Sequence, residues 1–142
     1  MAAALTIAAG CSALFAQAPA TCTVAAPVDR TVRAATAALM ENGFFIVDTD
    51  VVSGFVKAKR YTSNDNLLSA KIGFRTEIAL LVTPAGNGDC NLSIQLYEQT
   101  VDTQPAFREE GLVEDRELCR NLATAIKEKL TSKTDTEDGT DN

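Results

Sequence analysis

Between residues 72 and 97 apolar and polar side chains alternate for two strand lengths around one turn, and that pattern leaves little choice of fold. Ile72, Phe74, Ile78, Leu80 and Val82 recur at every second position, with Thr76 the exception in the series. Pro84-Ala85-Gly86-Asn87-Gly88-Asp89 makes a hairpin loop, since Gly and Asn supply positive φ. The alternation resumes with Cys90, Leu92, Ile94 and Leu96, interleaved with Asn91, Ser93, Gln95 and Tyr97. A period of two sends one residue set to each side of a sheet. An antiparallel hairpin with one buried and one wet face satisfies it.

The flanking segments fill in the rest of a domain. Val28, Val32, Ala35 and Leu39 repeat at helical spacing, Pro27 suits the entry to that helix, and Asn42-Gly43 suits its end. Phe44 to Asp48 is the next strand, Thr49 to Gly54 a turn, and Phe55 to Tyr61 the returning strand. Ser63-Asn64-Asp65-Asn66 makes a loop before the alternating pair. Beyond a polar crossing at Asp102 to Pro105, a second helix starts at Arg108 or at Glu114 and runs to Leu130, with Gly111 a candidate break. Its stripe is Leu118, Cys119, Leu122, Ile126 and Leu130, and Lys127 and Lys129 sit where the helix dipole favours cations. The expected fold is therefore α+β in two layers: one antiparallel four-stranded sheet with an N-terminal and a C-terminal helix on one face.

Ahead of this domain, an alanine-rich apolar run ends in Ala8-Ala9-Gly10-Cys11-Ser12. That arrangement resembles the processing box of bacterial lipoproteins, in which the cysteine is acylated and becomes the new N-terminus. The resemblance implies lipidation of Cys11 and attachment to a membrane through its acyl chains. Ser12, where Asp would retain the protein, resembles the pattern for forwarding to the outer membrane, facing the periplasm. Cleavage after Ala20, at Ala18-Pro19-Ala20, is the other processing site. Residues 2–16 are too short for a membrane span, which takes about 20 residues. The expected organisation is a signal segment over 1–20, a linker of Pro and small residues over 21–27, and a single domain over 28–131. Residues 132–142 form an acidic tail, with Asp135, Glu137, Asp138 and Asp141 against Lys133 and no apolar residue to bury, expected to be disordered.

Charge and residue types exclude several functions. A net charge of -6 without clustered Lys or Arg argues against a nucleic-acid partner. The chain has no histidine and no C-x-x-C spacing, which argues against a zinc site and leaves a cysteine nucleophile without its usual general base. Asp48 and Asp50 lack the further oxygen ligands of a calcium loop and suit a turn instead. No cofactor motif, metal site or catalytic constellation is present, and the expectation is a protein that is not an enzyme. After Cys11 come Cys22, Cys90 and Cys119. Cys90 shares the inward phase of its strand and Cys119 lies in the apolar stripe of the last helix, so the expected disulfide joins these two and leaves Cys22 free. Closing that loop would contribute roughly 3–4 kcal/mol. Should the two lie too far apart, Cys22 with Cys119 is the next pairing.

Ala38-Leu39-Met40-Glu41-Asn42-Gly43-Phe44, then Asp48 to Asp50, then Ser53-Gly54-Phe55-Val56 resemble the repeated domains of BamC-like lipoproteins of the outer-membrane assembly machinery. The resemblance implies a helix-grip-like envelope module and carries over no catalytic residue. On the strand phases above, the open sheet face collects Phe55, Lys57, Lys59, Lys71, Arg75, Gln95 and Tyr97. Four basic and two aromatic side chains on an acidic protein suit docking to an anionic partner: an envelope protein, lipid head groups or a cell-wall polymer. The opposite phase, with Val56 and Ala58 outward, stays open. The expected function is a noncatalytic, membrane-tethered interaction or assembly module. The alternative is a carrier of a small apolar ligand held between helices and sheet.

Overall fold

The computed structural model describes residues 20–63, 65, 68, 71–102, 107–113 and 115–137. In chain order these form β1 (Ala20–Val24), α1 (Val28–Glu41), β2 (Phe45–Asp50), β3 (Phe55–Ser63), β4 (Lys71–Gly86), β5 (Asp89–Asp102), β6 (Phe107–Val113) and α2 (Arg116–Glu137). The strands make one antiparallel sheet in the order β1-β5-β4-β3-β2, with β6 also paired to β5. The alternating hairpin is its spine. Gly86 pairs with Asp89 across Asn87 and Gly88, whose φ angles of 56° and 80° give the two-residue turn that matches sheet twist.

The α+β class and the single antiparallel sheet with two helices are as expected, but the described residues form six strands, not four. β1 occupies most of the segment expected to be a linker. Ala20 to Val24 pair with Ile94 to Cys90, so a stretch too rich in small residues to announce itself is held as strand by its partner. β6 takes the place of the earlier helix start. It pairs Val113 to Phe107 with Leu96 to Val101, immediately beyond β1 on the same edge of β5. α2 begins after Asp115, whose carboxylate accepts the Leu118 amide at 2.9 Å, a side-chain N-cap. It continues through residues 132–137, which had been placed in the tail. There Thr131 and Ser132 hydroxyls donate to the carbonyls of Lys127 and Lys129 at 3.0 and 3.2 Å, bonds made within a helix. Residues 1–19, with Cys11, and residues 138–142 lie outside the described residues.

α1 ends as its sequence dictates. The amides of Gly43 and Phe44 reach back to Met40 and Leu39 at 3.1 and 2.9 Å, the paired bonds of a Schellman cap. One core joins both helices to alternate strand residues. Val32, Ala35, Ala38 and Leu39 of α1 and Leu122 and Ile126 of α2 pack with Val56, Ala58, Ile78, Leu80, Val82, Leu92, Ile94 and Leu96. Lys129 of α2 is ion-paired to Glu41 of α1. Gly54 fixes how closely the β2–β3 turn approaches β4. Its φ is +73° and a Cβ there would stand 2.0 Å from the Val82 carbonyl oxygen, while its own carbonyl accepts the Val82 amide at 2.8 Å.

Candidate functional site

Burial of Val56 and Ala58 settles the phase of β3. Phe55, Lys57, Lys59 and Tyr61 therefore face away from the helices, and cross-strand register assembles the open face in rows. Phe45, Lys59, Glu77 and Tyr97 form one row; Asp48, Lys57, Ala79 and Gln95 the next; Asp50, Phe55, Leu81 and Ser93 a third. Tyr61 lies opposite Arg75. The structure thus brings together Phe55, Lys57, Lys59, Arg75, Gln95 and Tyr97 as expected. Lys71 stands opposite Asp102 at the far end of β4, and its side chain lies outside the described part.

The electrostatics differ from the expected basic patch. Glu77, which strand phasing had not placed on this face, is ion-paired with Arg75 and stands 3.5 Å from the Lys57 ammonium. With Asp48 and Asp50 in the same rows, the three described cations Lys57, Lys59 and Arg75 meet three carboxylates, and the face is close to neutral. Asp50 is occupied in the turn, where it accepts the Val52 amide at 2.9 Å. The Ser53 hydroxyl, then the Val52 and Ser53 amides, hold its carboxyl below the usual range. Lys59 lies 6.0 Å from the Tyr61 ring centroid, within reach of a weak cation–π contact. What distinguishes the face is its exposed apolar surface: Phe45 is 70%, Tyr61 58% and Leu81 44% exposed.

A second feature lies on the helix side. β4 and β5 outrun the helices, and beyond the covered row Ala58, Ile78 and Leu96 comes the polar row Arg60, Thr76 and Glu98. This row opens into a cleft of about 310 Å³, also lined by Thr62, Phe74, Leu96, Asp115 and Leu118. The Arg60 guanidinium stacks 4.4 Å from the Phe44 ring and donates to the Asn42 carbonyl at 3.2 Å. Sequence reasoning missed Arg60 and Glu98. The signal was present in Thr76, the polar residue that breaks the apolar phase of β4.

The cysteines correct another expectation: Cys22, Cys90 and Cys119 are all free thiols, so the Cys90–Cys119 disulfide is not formed. Cys90 sits at the turn end of β5 beneath α1, where its thiol donates to Thr31 Oγ1 at 3.2 Å. Cys119 instead shares a cleft of about 300 Å³ with Cys22, Ile94 and the α2 cations Arg116, Arg120 and Lys127. Ile94 is four positions farther along β5 than Cys90, which spans about 13 Å of strand, beyond the reach of a bridge. Burial pushes both the Cys90 and Cys119 thiols up, partly offset at Cys90 by the Thr31 hydroxyl. Among the described residues no group of three or more Cys, Asp or Glu could hold a metal ion, and no helix is long and apolar enough to cross a membrane.

No protein-family model matches the chain, and no curated protein does. Among solved structures it is similar to a DUF4468 family protein from Bacteroides ovatus, with 14% sequence identity, 86% of each chain covered and a TM-score of 0.38.

Proposed function

We propose that this protein is a noncatalytic lipoprotein of the bacterial envelope, anchored through Cys11 and acting as an interaction module through the open face of its sheet. The observation that carries the docking surface is the exposure of Phe45, Tyr61 and Leu81 around a belt of ion-paired side chains. Aromatic residues are enriched among interface hot spots. The near-neutral charge of the face selects a protein partner over an anionic polymer or lipid surface. The two helices cover the opposite face and leave this one to the partner. The lipobox resemblance and Ser12 support an outer-membrane address facing the periplasm, and the BamC-like motif supports an assembly role.

Site-specific photocrosslinking in bacterial cells tests the docking surface. Crosslinkers at Phe45, Tyr61 and Leu81 should give the same discrete adduct, and one at Glu128 on α2 should give none. Adducts of equal pattern from all four positions would end the reading. The anchor is tested separately by labelling with a clickable fatty acid, which should mark the wild type and leave Cys11→Ala unmarked. A second reading, a small-molecule carrier, is favoured by the cleft between the polar row Arg60, Thr76 and Glu98 and the start of α2.

A further inference from the structure

We propose that this cleft binds a free α-amino acid with an apolar side chain, its carboxylate on Arg60 and its ammonium on Glu98 and Asp115. The proposal depends neither on Cys11 nor on the open sheet face, and it gives the carrier reading a ligand class.

The argument begins with two charges that do not meet. Arg60 on β3 and Glu98 on β5 are separated by Thr76 on β4, two strand spacings or about 9.5 Å of backbone. The Glu98 backbone is paired in the ladder, but among the described residues the Glu98 carboxylate has no hydrogen-bond or ion-pair partner. Arg60 is held by the Asn42 carbonyl and the Phe44 ring, yet its Nε is buried without a hydrogen-bond partner. Asp115 commits its Oδ1 to the Leu118 amide and retains its other oxygen. Opposite charges held apart at a half-open cleft leave room for a ligand between them, and a charge-assisted hydrogen bond to each is the strong kind. A ligand carrying both signs satisfies them together.

The dimensions agree with the smallest such ligand. In an α-amino acid the ammonium nitrogen and carboxylate carbon lie about 2.5 Å apart. With about 1.2 Å from that carbon to the accepting oxygen and a charge-assisted hydrogen bond of about 2.8 Å on either side, the bridge reaches about 9 Å. The Thr62 and Thr76 hydroxyls add polar contacts, and Phe74, Leu96 and Leu118 give the side chain an apolar wall. A volume of about 310 Å³ is at the low end for small-molecule sites. A fatty acid, or one terminus of a peptide, brings a single charge and strands the opposite one.

Calorimetric titration of the full chain with L-leucine tests this, against isocaproate, which lacks the ammonium, leucinamide, which lacks the carboxylate, and glycine, which lacks the side chain. Leucine should bind saturably, and each comparison compound at least about tenfold more weakly. Glu98→Gln should weaken leucine at least about tenfold and leave isocaproate unchanged. Arg60→Gln should abolish leucine binding, but Arg60 also braces Asn42 and Phe44, so Glu98→Gln decides should that variant unfold. The proposal is overturned if leucine shows no saturation up to about 10 mM, well above the range expected of so small a ligand. It is equally overturned if isocaproate and leucinamide match leucine, or if Glu98→Gln binds leucine as the wild type does.

Discussion

Six consecutive residues of β4 present two different chemistries. Ile78, Leu80 and Val82 point into the core and are essentially inaccessible, while Glu77, Ala79 and Leu81 between them face the open side. The inward set is uniformly aliphatic, because shape and volume are all that close packing against α1 and α2 asks of it. The outward set is heterogeneous: a carboxylate between two cations, a methyl group, and a half-exposed leucine. One hydrogen-bonded ladder supports both, so the fold does not dictate what the outward residues are. That freedom is where an interaction surface can be written. The core face changes character at Thr76, where helical cover ends and the cleft begins.

The contrast is broken or sharpened most directly by truncating neighbours. Leu80→Ala should cost about 2–5 kcal/mol in urea denaturation, and Leu81→Ala, one residue on, about 0.5 kcal/mol or less. Equal losses would mean that the two faces are misassigned. Gly54→Ala should cost about 2–3 kcal/mol, because its Cβ would collide with the Val82 carbonyl at a φ of +73°. A midpoint near that of the wild type would show that the β2–β3 turn is free to move off β4. Glu77→Gln should cost about 1 kcal/mol, most of it vanishing at about 1 M salt; a salt-independent loss would point to packing.

Thiols probe the same divide kinetically. Cys22 should be alkylated first at neutral pH, ahead of Cys119 and then Cys90, as followed by mass spectrometry of single-cysteine variants. Folded Cys90 and Cys119 titrate above the ordinary thiol range, so as pH rises past about 8.5 the unfolded chain loses protons first and stability falls. Below that pH these thiols should contribute no slope; an alkaline fall that is unchanged when both are replaced by Ala would refute the burial. The smallest change is expected from Lys59→Glu, within about 0.5 kcal/mol of the wild type, while the adduct formed from Tyr61 is lost. Retention of that adduct would remove Lys59 from the docking surface.

Much of the scaffold was legible because its signals are local. Alternation over β4 and β5 and the Gly43 cap each need only neighbouring residues, and each stands as expected, while the hairpin loop expected over Pro84 to Asp89 narrows to a two-residue turn at Asn87 and Gly88. β1 was not legible. Ala20 to Val24 resemble a linker until Ile94 to Cys90 lie beside them, and no short window of sequence contains both. β6 was obscured by Glu109 and Glu110, which suit the first turn of a helix, although Gly111 marked the trouble. On the open face the aromatic and basic residues followed from strand phase, yet Glu77 was overlooked though it sits two residues from Arg75 and so on the same side. The cleft was the least accessible feature. Arg60 and Glu98 become neighbours of Thr76 only when three strands are in register, and the sequence shows no more than the interruption at Thr76.

The outer edge of β5, shared end to end by β1 and β6, has a consequence for how the chain is made. Thr23 of β1 and Asn91 of β5, which hydrogen-bond at 3.3 Å, are 68 residues apart. At about 5–20 residues per second, β1 leaves the ribosome roughly 3–14 s before its partner exists. The β4–β5 hairpin can zip within microseconds of emerging, and β6 follows within a few residues of β5. Of the described strand pairings, β1 with β5 closes the longest stretch of chain, so β1 should be the last of these strands to be seated. Its amides should be the first to exchange with solvent once the fold is complete.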